Sequence, residues 1–172
     1  AIPLRHLAQA FARVGTGTGL SPGHARAAQR LRAAVARAPF MVAGTGRLDT
    51  RLMERLGERL FCKVGAEGMY CAALPDAGLG VAIKVDDGNN ARACEVAMAT
   101  LIEAFVPLHT DSERQLLAGL ADVTLFNWRG LQVGRCAVAA VGLRARLEPR
   151  DSFAEPLVGH RLQQVVDGRP FE

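Results

Sequence analysis

The sequence predicts an α+β fold in which a small antiparallel sheet is covered by helices. Three observations carry that expectation. Helical periodicity fills the first third of the chain, short strand patterns follow it, and the strands are joined by tight turns rather than by crossover helices. Of the 172 residues, 49% are hydrophobic but only 5% are aromatic, so alanine-rich helices must pack closely on the sheet.

The elements follow in order. "IPLRHLAQAFARV" sets Leu4, Leu7, Ala8, Phe11 and Ala12 on one stripe that starts after Pro3. "GTGTGL", Gly15 to Leu20, reads as a flexible glycine-rich connector, because it lacks the Lys-Ser/Thr ending of a phosphate loop. Ser21 then caps a helix whose first residue is Pro22 and which runs to about Ala38. "PFMVAGTGRLDTRLMERLG" predicts a short extended piece, a glycine turn, and a helix capped by Asp49 that stops at Gly57. Strands are expected over Leu60–Val64, Met69–Leu74 and Leu79–Val85, with "PDAG" turning between the last two.

Further on, "DDGNNARACEVAMATLIEAF" places acidic residues at the entry of a helix over Asn90–Phe105 that should pack on the sheet. "TDSE", from Thr110, is a capping box for a helix to about Leu120. "VTLFNWRGLQVGRCAVAAVGL" supplies two more strands around Arg129-Gly130, expected in the same antiparallel sheet. The chain divides into a domain over residues 1–150 and a loosely attached tail over 151–172, with a short helical stretch near Leu157–Val166.

The net charge of +4 and pI near 9.2 raise the possibility of a basic nucleic-acid-binding module. The arginines, however, are spread along helical patterns such as "HARAAQRLRAAVARA", where a solvated face accounts for them, and no RNP-like or helix-turn-helix signature accompanies them. Neither nucleic acid nor membrane is expected as a partner, since there is no apolar run of spanning length. The cysteines at 62, 71, 94 and 136 stand singly, without C-x-x-C or zinc-site spacing, and read as reduced thiols of a cytoplasmic protein.

The residue that carries chemistry is Lys63, on a strand and followed by a turn punctuated by Gly65 and Gly68. A lysine so placed can serve a serine nucleophile as hydrogen-bond partner or base in an enclosed site, or it can simply snorkel from a sheet edge. The Asp86-Asp87 pair could form an acid-base dyad, but acidic residues at a helix entry are more often dipole partners. The serines at 21, 112 and 152 fall in capping or tail positions, and the histidines at 6, 24, 109 and 160 are scattered.

"RLFCKVGAEGMYCAALPDAGLGVAIKVDDGNNARACEVA" resembles the lysine-glycine block of the bacterial asparaginase II family, the thermolabile type also found in rhizobia. "APFMVAGTGRLDTRLM" and "NWRGLQVG" are similar to that family's other blocks in the same order, so the resemblance spans roughly Ala1 to Gly134. It implies a fold like the serine β-lactamases and glutaminases, and hydrolysis of L-asparagine to L-aspartate and ammonia through a serine-lysine site. Within it, "KVG" takes the place of the Lys-Thr/Ser-Gly element. Lys63 becomes the active-site lysine, Val64 replaces the hydroxyl residue, and Gly65 and Gly68 let backbone N–H groups approach the substrate as an oxyanion site requires.

The resemblance also implies what this chain does not carry. The family's serine nucleophiles and its Cys/Lys/Cys zinc site precede the counterpart of Ala1. The expectation is therefore the C-terminal half of an asparaginase, completed by an N-terminal half or a partner chain, with zinc in that other half and a homodimer as the assembly. No cofactor or metal is expected in these residues, and the chain alone should be inactive. The alternative is a non-catalytic truncated domain.

Overall fold

The computed structural model describes residues 2–138. The tail, the Leu157–Val166 stretch, Ser152 and His160 lie outside the described residues. Helix α1 (Leu4–Thr16) starts at Pro3, and α2 (Pro22–Arg37) starts at the Ser21 cap, whose hydroxyl accepts from His24 N–H. A single turn, α3 (Phe40–Ala43), precedes α4 (Leu48–Leu56). Strands β1 (Phe61–Val64), β2 (Met69–Leu74) and β3 (Leu79–Lys84) follow. After them come a π-turn over Asn90–Cys94, α5 (Glu95–Phe105), α6 (Asp111–Ala121), β4 (Asp122–Phe126) and β5 (Gln132–Ala137). The fold is α+β.

The main sheet is antiparallel in the order β1-β2-β3, with Lys63 opposite Cys71 and Cys71 opposite Ala82. Alternation then sorts side chains to two faces. One face turns Cys62, Tyr70, Ala72, Leu74, Val81 and Ile83 into the main core, against Leu52, Met53 and Leu56 of α4 and Ala97, Met98 and Ile102 of α5. The other face is small, with Cys71 and Ala82 against Ala8, and Phe11 stacked on Phe61 at 5.7 Å. Gly80 explains why α1 lies so close: a Cβ there would collide with the helix backbone at Ala8 and Ala12.

Several expectations need correction. The expected connector starts later: Gly15 and Thr16 are still helix, an added Cβ on Gly15 would lie 3.1 Å from Ala73 Cβ, and the helix ends at Gly17, whose φ of 78° is left-handed and whose N–H donates to Arg13 O. The extended piece at Phe40 is instead a helical turn, since Pro39 already holds helical angles (φ −59°, ψ −32°). Asp49 does not cap α4. Arg47 occupies the cap position without a side-chain bond, and Asp49 lies inside the first turn. The helix over Asn90–Phe105 is broken at Arg92 (φ −121°, ψ −108°), so its first five residues form the π-turn.

The strands around Asn127 do not join the main sheet. They form their own two-stranded ribbon, held by the Arg135–Asp122 ion pair. On the β1 side, the Val64 N–H that an added strand would use is already bonded to the Asp49 carboxylate.

Candidate active site

The polar end of the main sheet is where β1 turns into β2. Gly65 N–H donates to Met69 O at 2.8 Å and closes the turn. Gly68, with φ 71°, is buried, and its carbonyl accepts from Val85 N–H at 2.9 Å and from the Cys94 thiol at 3.4 Å. A Cβ on Gly68 would lie 2.5 Å from Val85 Cγ2 and 2.9 Å from Val85 O, so only glycine fits. Between them Glu67 takes φ 56°, a conformation that side chains other than glycine rarely adopt.

The next loop locks onto this turn. Asn90 Nδ2 donates to Gly65 O at 2.6 Å, and Lys84 Nζ donates to Glu67 O. Asp87 accepts from Asn89 N–H at 2.9 Å and from Arg92 at 2.7 Å, and those bonds, the Asn89 one first, hold its carboxyl below the usual carboxylate range. The Asp86-Asp87 pair is thus divided, with Asp87 committed to the loop. Asn90 Oδ1 is buried without a protein partner.

Lys63 stands exposed at this mouth, on the α1 side of the sheet, with Nζ donating to Val64 O at 2.7 Å. It is not sunk in a cleft between sheet and helices. The chain contains two lysines against nineteen arginines, and both, Lys63 and Lys84, stand at this end of the sheet. Arginine does not give up its proton and lysine can, so the two residues differ in kind from the chain's other cations.

Behind Lys63 stands Asp49, expected from the sequence as a helix cap. Asp49 is 1% exposed; Oδ1 accepts from Val64 N–H at 2.7 Å and Oδ2 from Tyr70 OH at 2.8 Å. Burial, then Cys62 and Asp49, push the Tyr70 phenol far up, so it keeps the proton that it donates. The "GTGRLDT" loop makes this possible. Gly44 and Gly46 take left-handed φ values of 89° and 71°, and Thr50 Oγ1 ties back to Gly44 O at 2.7 Å. In the sequence Asp49 stands between two apolar helix residues, Leu48 and Leu52, both buried, but that pattern does not separate a buried carboxylate from a cap.

Neither described serine is bonded to Lys63. Ser21 Oγ pairs with His24 Nδ1 at 2.9 Å as a helix cap, and Ser112 accepts from Arg55 at 3.1 Å. His6 accepts from Arg5, and His109 meets Glu113 through its backbone N–H. Among the described residues no three His, Cys, Asp or Glu side chains stand together as metal ligands. Burial pushes the Cys71 thiol up to about 11 and the Cys94 thiol up to about 12. Among the described residues no helix is long and apolar enough to cross a membrane.

No curated protein matches the chain. The family model for L-asparaginase II matches residues 1–138, which include the Asp49 loop, the Lys63 turn and both strands of the ribbon. On that match, the chain belongs to the L-asparaginase II family.

Proposed function

We propose that this chain forms the lysine side of an L-asparagine amidohydrolase site, with Lys63 acting on a serine carried outside these 172 residues. The observation that supports it is the position of Lys63 within the family match, at a turn whose carbonyls are held by the Lys84 and Asn90 side chains. The serine hydroxyl attacks the side-chain amide carbon, its proton passes to the lysine amine and on to the leaving ammonia, and water then releases aspartate. Gly65 and Gly68 set the course of the turn beside Lys63, where the resemblance places the approach of backbone to substrate. The Gly65 N–H is engaged by Met69 O, so in this arrangement it is not a free donor for an oxyanion. A serine-bearing half or partner chain, zinc within that other half, a homodimer and a cytoplasmic location complete this reading, all from the family resemblance.

The test is ammonia release. In the active enzyme, Lys63→Ala should lower turnover by ~10²–10⁴ with little change in melting temperature, and Lys63→Arg should not restore it. Arg30→Ala, an exposed change on α2, is the control. Full turnover by Lys63→Ala defeats the assignment. The 172-residue chain alone should release no ammonia from asparagine. Turnover by it, with a nucleophile trapped on Ser21, Ser112 or Ser152, would place the serine within this chain instead.

A further inference from the structure

We infer that Asp49 is the positioning residue for Lys63, an inference that rests on the role proposed for that lysine. The peptide unit that joins Lys63 to Val64 carries the N–H that Asp49 Oδ1 accepts at 2.7 Å. The same carboxylate takes the Tyr70 hydroxyl of β2 at 2.8 Å, and Tyr70 is the partner of Val64 across the ladder. Asp49 therefore spans both strands at the last residue pair before the turn.

The ladder explains why such a group is needed. β1 is an edge strand of four residues, and Gly65 N–H pairs inward with Met69 O. Its neighbour Val64 then points its N–H away from β2, toward the open edge. Without an acceptor there, the end of a short edge strand frays, and the Lys63 backbone moves with it. Asp49 supplies that acceptor from a rigid source. It is 1% exposed, it lies in the first turn of α4, and Leu48, Leu52 and Met53 bury that helix in the core.

Asp49 does not touch the reacting groups in this arrangement; it acts through the backbone of Lys63. Kinetics of the active enzyme separate that role from a purely structural one. Asp49→Ala should lower kcat by ~10- to 10²-fold, measured below the melting temperatures of all variants, with KM within about threefold. Asp49→Asn keeps an oxygen for Val64 N–H and should recover kcat to within a few-fold. Tyr70→Phe removes only the second bond, so it should lower the melting temperature and leave kcat within about threefold. In a Lys63→Ala background, Asp49→Ala should cause no further loss, because a residue acting through Lys63 has nothing left to act on.

An equal, additive loss in both backgrounds overturns the positioning role while leaving Lys63 in place. So does an Asp49→Asn variant as slow as Asp49→Ala. If Lys63→Ala itself keeps full turnover, the reading of the lysine has failed, and the positioning role falls with it. Should Asp49→Ala not fold, Asp49→Ser, too short to reach Val64 N–H, takes its place with the same expected loss.

Discussion

The two ends of the main sheet turn the chain in different ways. At one end, β2 passes to β3 through Pro75–Gly78, closed by Gly78 N–H on Pro75 O at 3.0 Å, and the space around Gly78 is open. At the other end, Gly65 to Gly68 is gripped by Val85, Lys84, Asn90 and Cys94, while Glu67 and Gly68 both hold left-handed angles. A hairpin needs only the first kind of construction. The second fixes a backbone against its own preference, which is how strain is distributed at sites that must hold a geometry. Lys63 leads into the gripped end and not the open one.

That difference can be broken with one pair of substitutions. Gly68→Ala and Gly78→Ala both place a side chain at positive φ, 71° and 66° respectively. At Gly78 nothing stands within 4 Å of the new Cβ, so the loss should be the conformational strain alone, ~1–2 kcal/mol. At Gly68 the same methyl also meets Val85 O and Gly88 Cα, at 2.9 and 3.1 Å, and the backbone must move. The combined loss there should be ~2–4 kcal/mol. Denaturant unfolding of both variants measures the gap. Equal losses would mean that the turn at Gly68 yields as easily as the open hairpin.

Much of this comparison was legible in the sequence, and the part that was not has a common cause. The strand over Met69–Leu74, the "PDAG" turn and the Thr110 capping box can all be read locally, because turn and cap chemistry involve neighbours in sequence. Asp49 could not be read that way. Its partners stand 15 and 21 residues away, and an aspartate at a helix start looks the same whether it caps or is buried. The separate ribbon was hidden for a related reason. Strand patterns show which residues can pair, but not that Asp49 already takes an edge donor on β1. Lys84 was hidden in the same way: its partner, the Glu67 carbonyl, stands 17 residues away, and that bond makes the lysine part of the turn.

Acid should sharpen a second contrast, between an exposed carboxylate at the mouth, Asp87, and a buried one beside the segment before β1, Glu113. Glu113 is 6% exposed and accepts from Arg59 at 2.5 Å and from His109 N–H at 2.7 Å. Those partners, Arg59 first, push it down to about 2. Arg59 also donates to Pro107 O, so the pair fastens the segment before β1 to the loop before α6. A carboxylate with a depressed folded value stabilises the fold above its ordinary range, and that contribution is lost as pH falls from ~4.5 through about 2. Glu113→Gln should therefore flatten the dependence of melting temperature on pH across that window. Asp87→Asn, at an exposed pair, should leave it nearly unchanged. A wild-type acid profile that survives Glu113→Gln would show that other carboxylates govern it.

The smallest effect concerns Glu67, the one non-glycine residue with a positive φ among those described. Its angle of 56° costs ~1 kcal/mol or more for a side chain and nothing for glycine. Glycine gives back part of that gain through a freer unfolded chain, so Glu67→Gly should stabilise the protein by only ~0.5–1 kcal/mol. The backbone bond from Lys84 to the residue-67 carbonyl survives the change, because it does not use the side chain. Melting temperature should then rise by a few degrees while ammonia release stays the same. A lower melting temperature would show that the exposed glutamate contributes a contact worth more than its strain. A stable variant with lower turnover would show instead that the left-handed glutamate itself faces the substrate, and that the gripped end of the sheet holds two site residues, Lys63 and Glu67, on either side of Gly65.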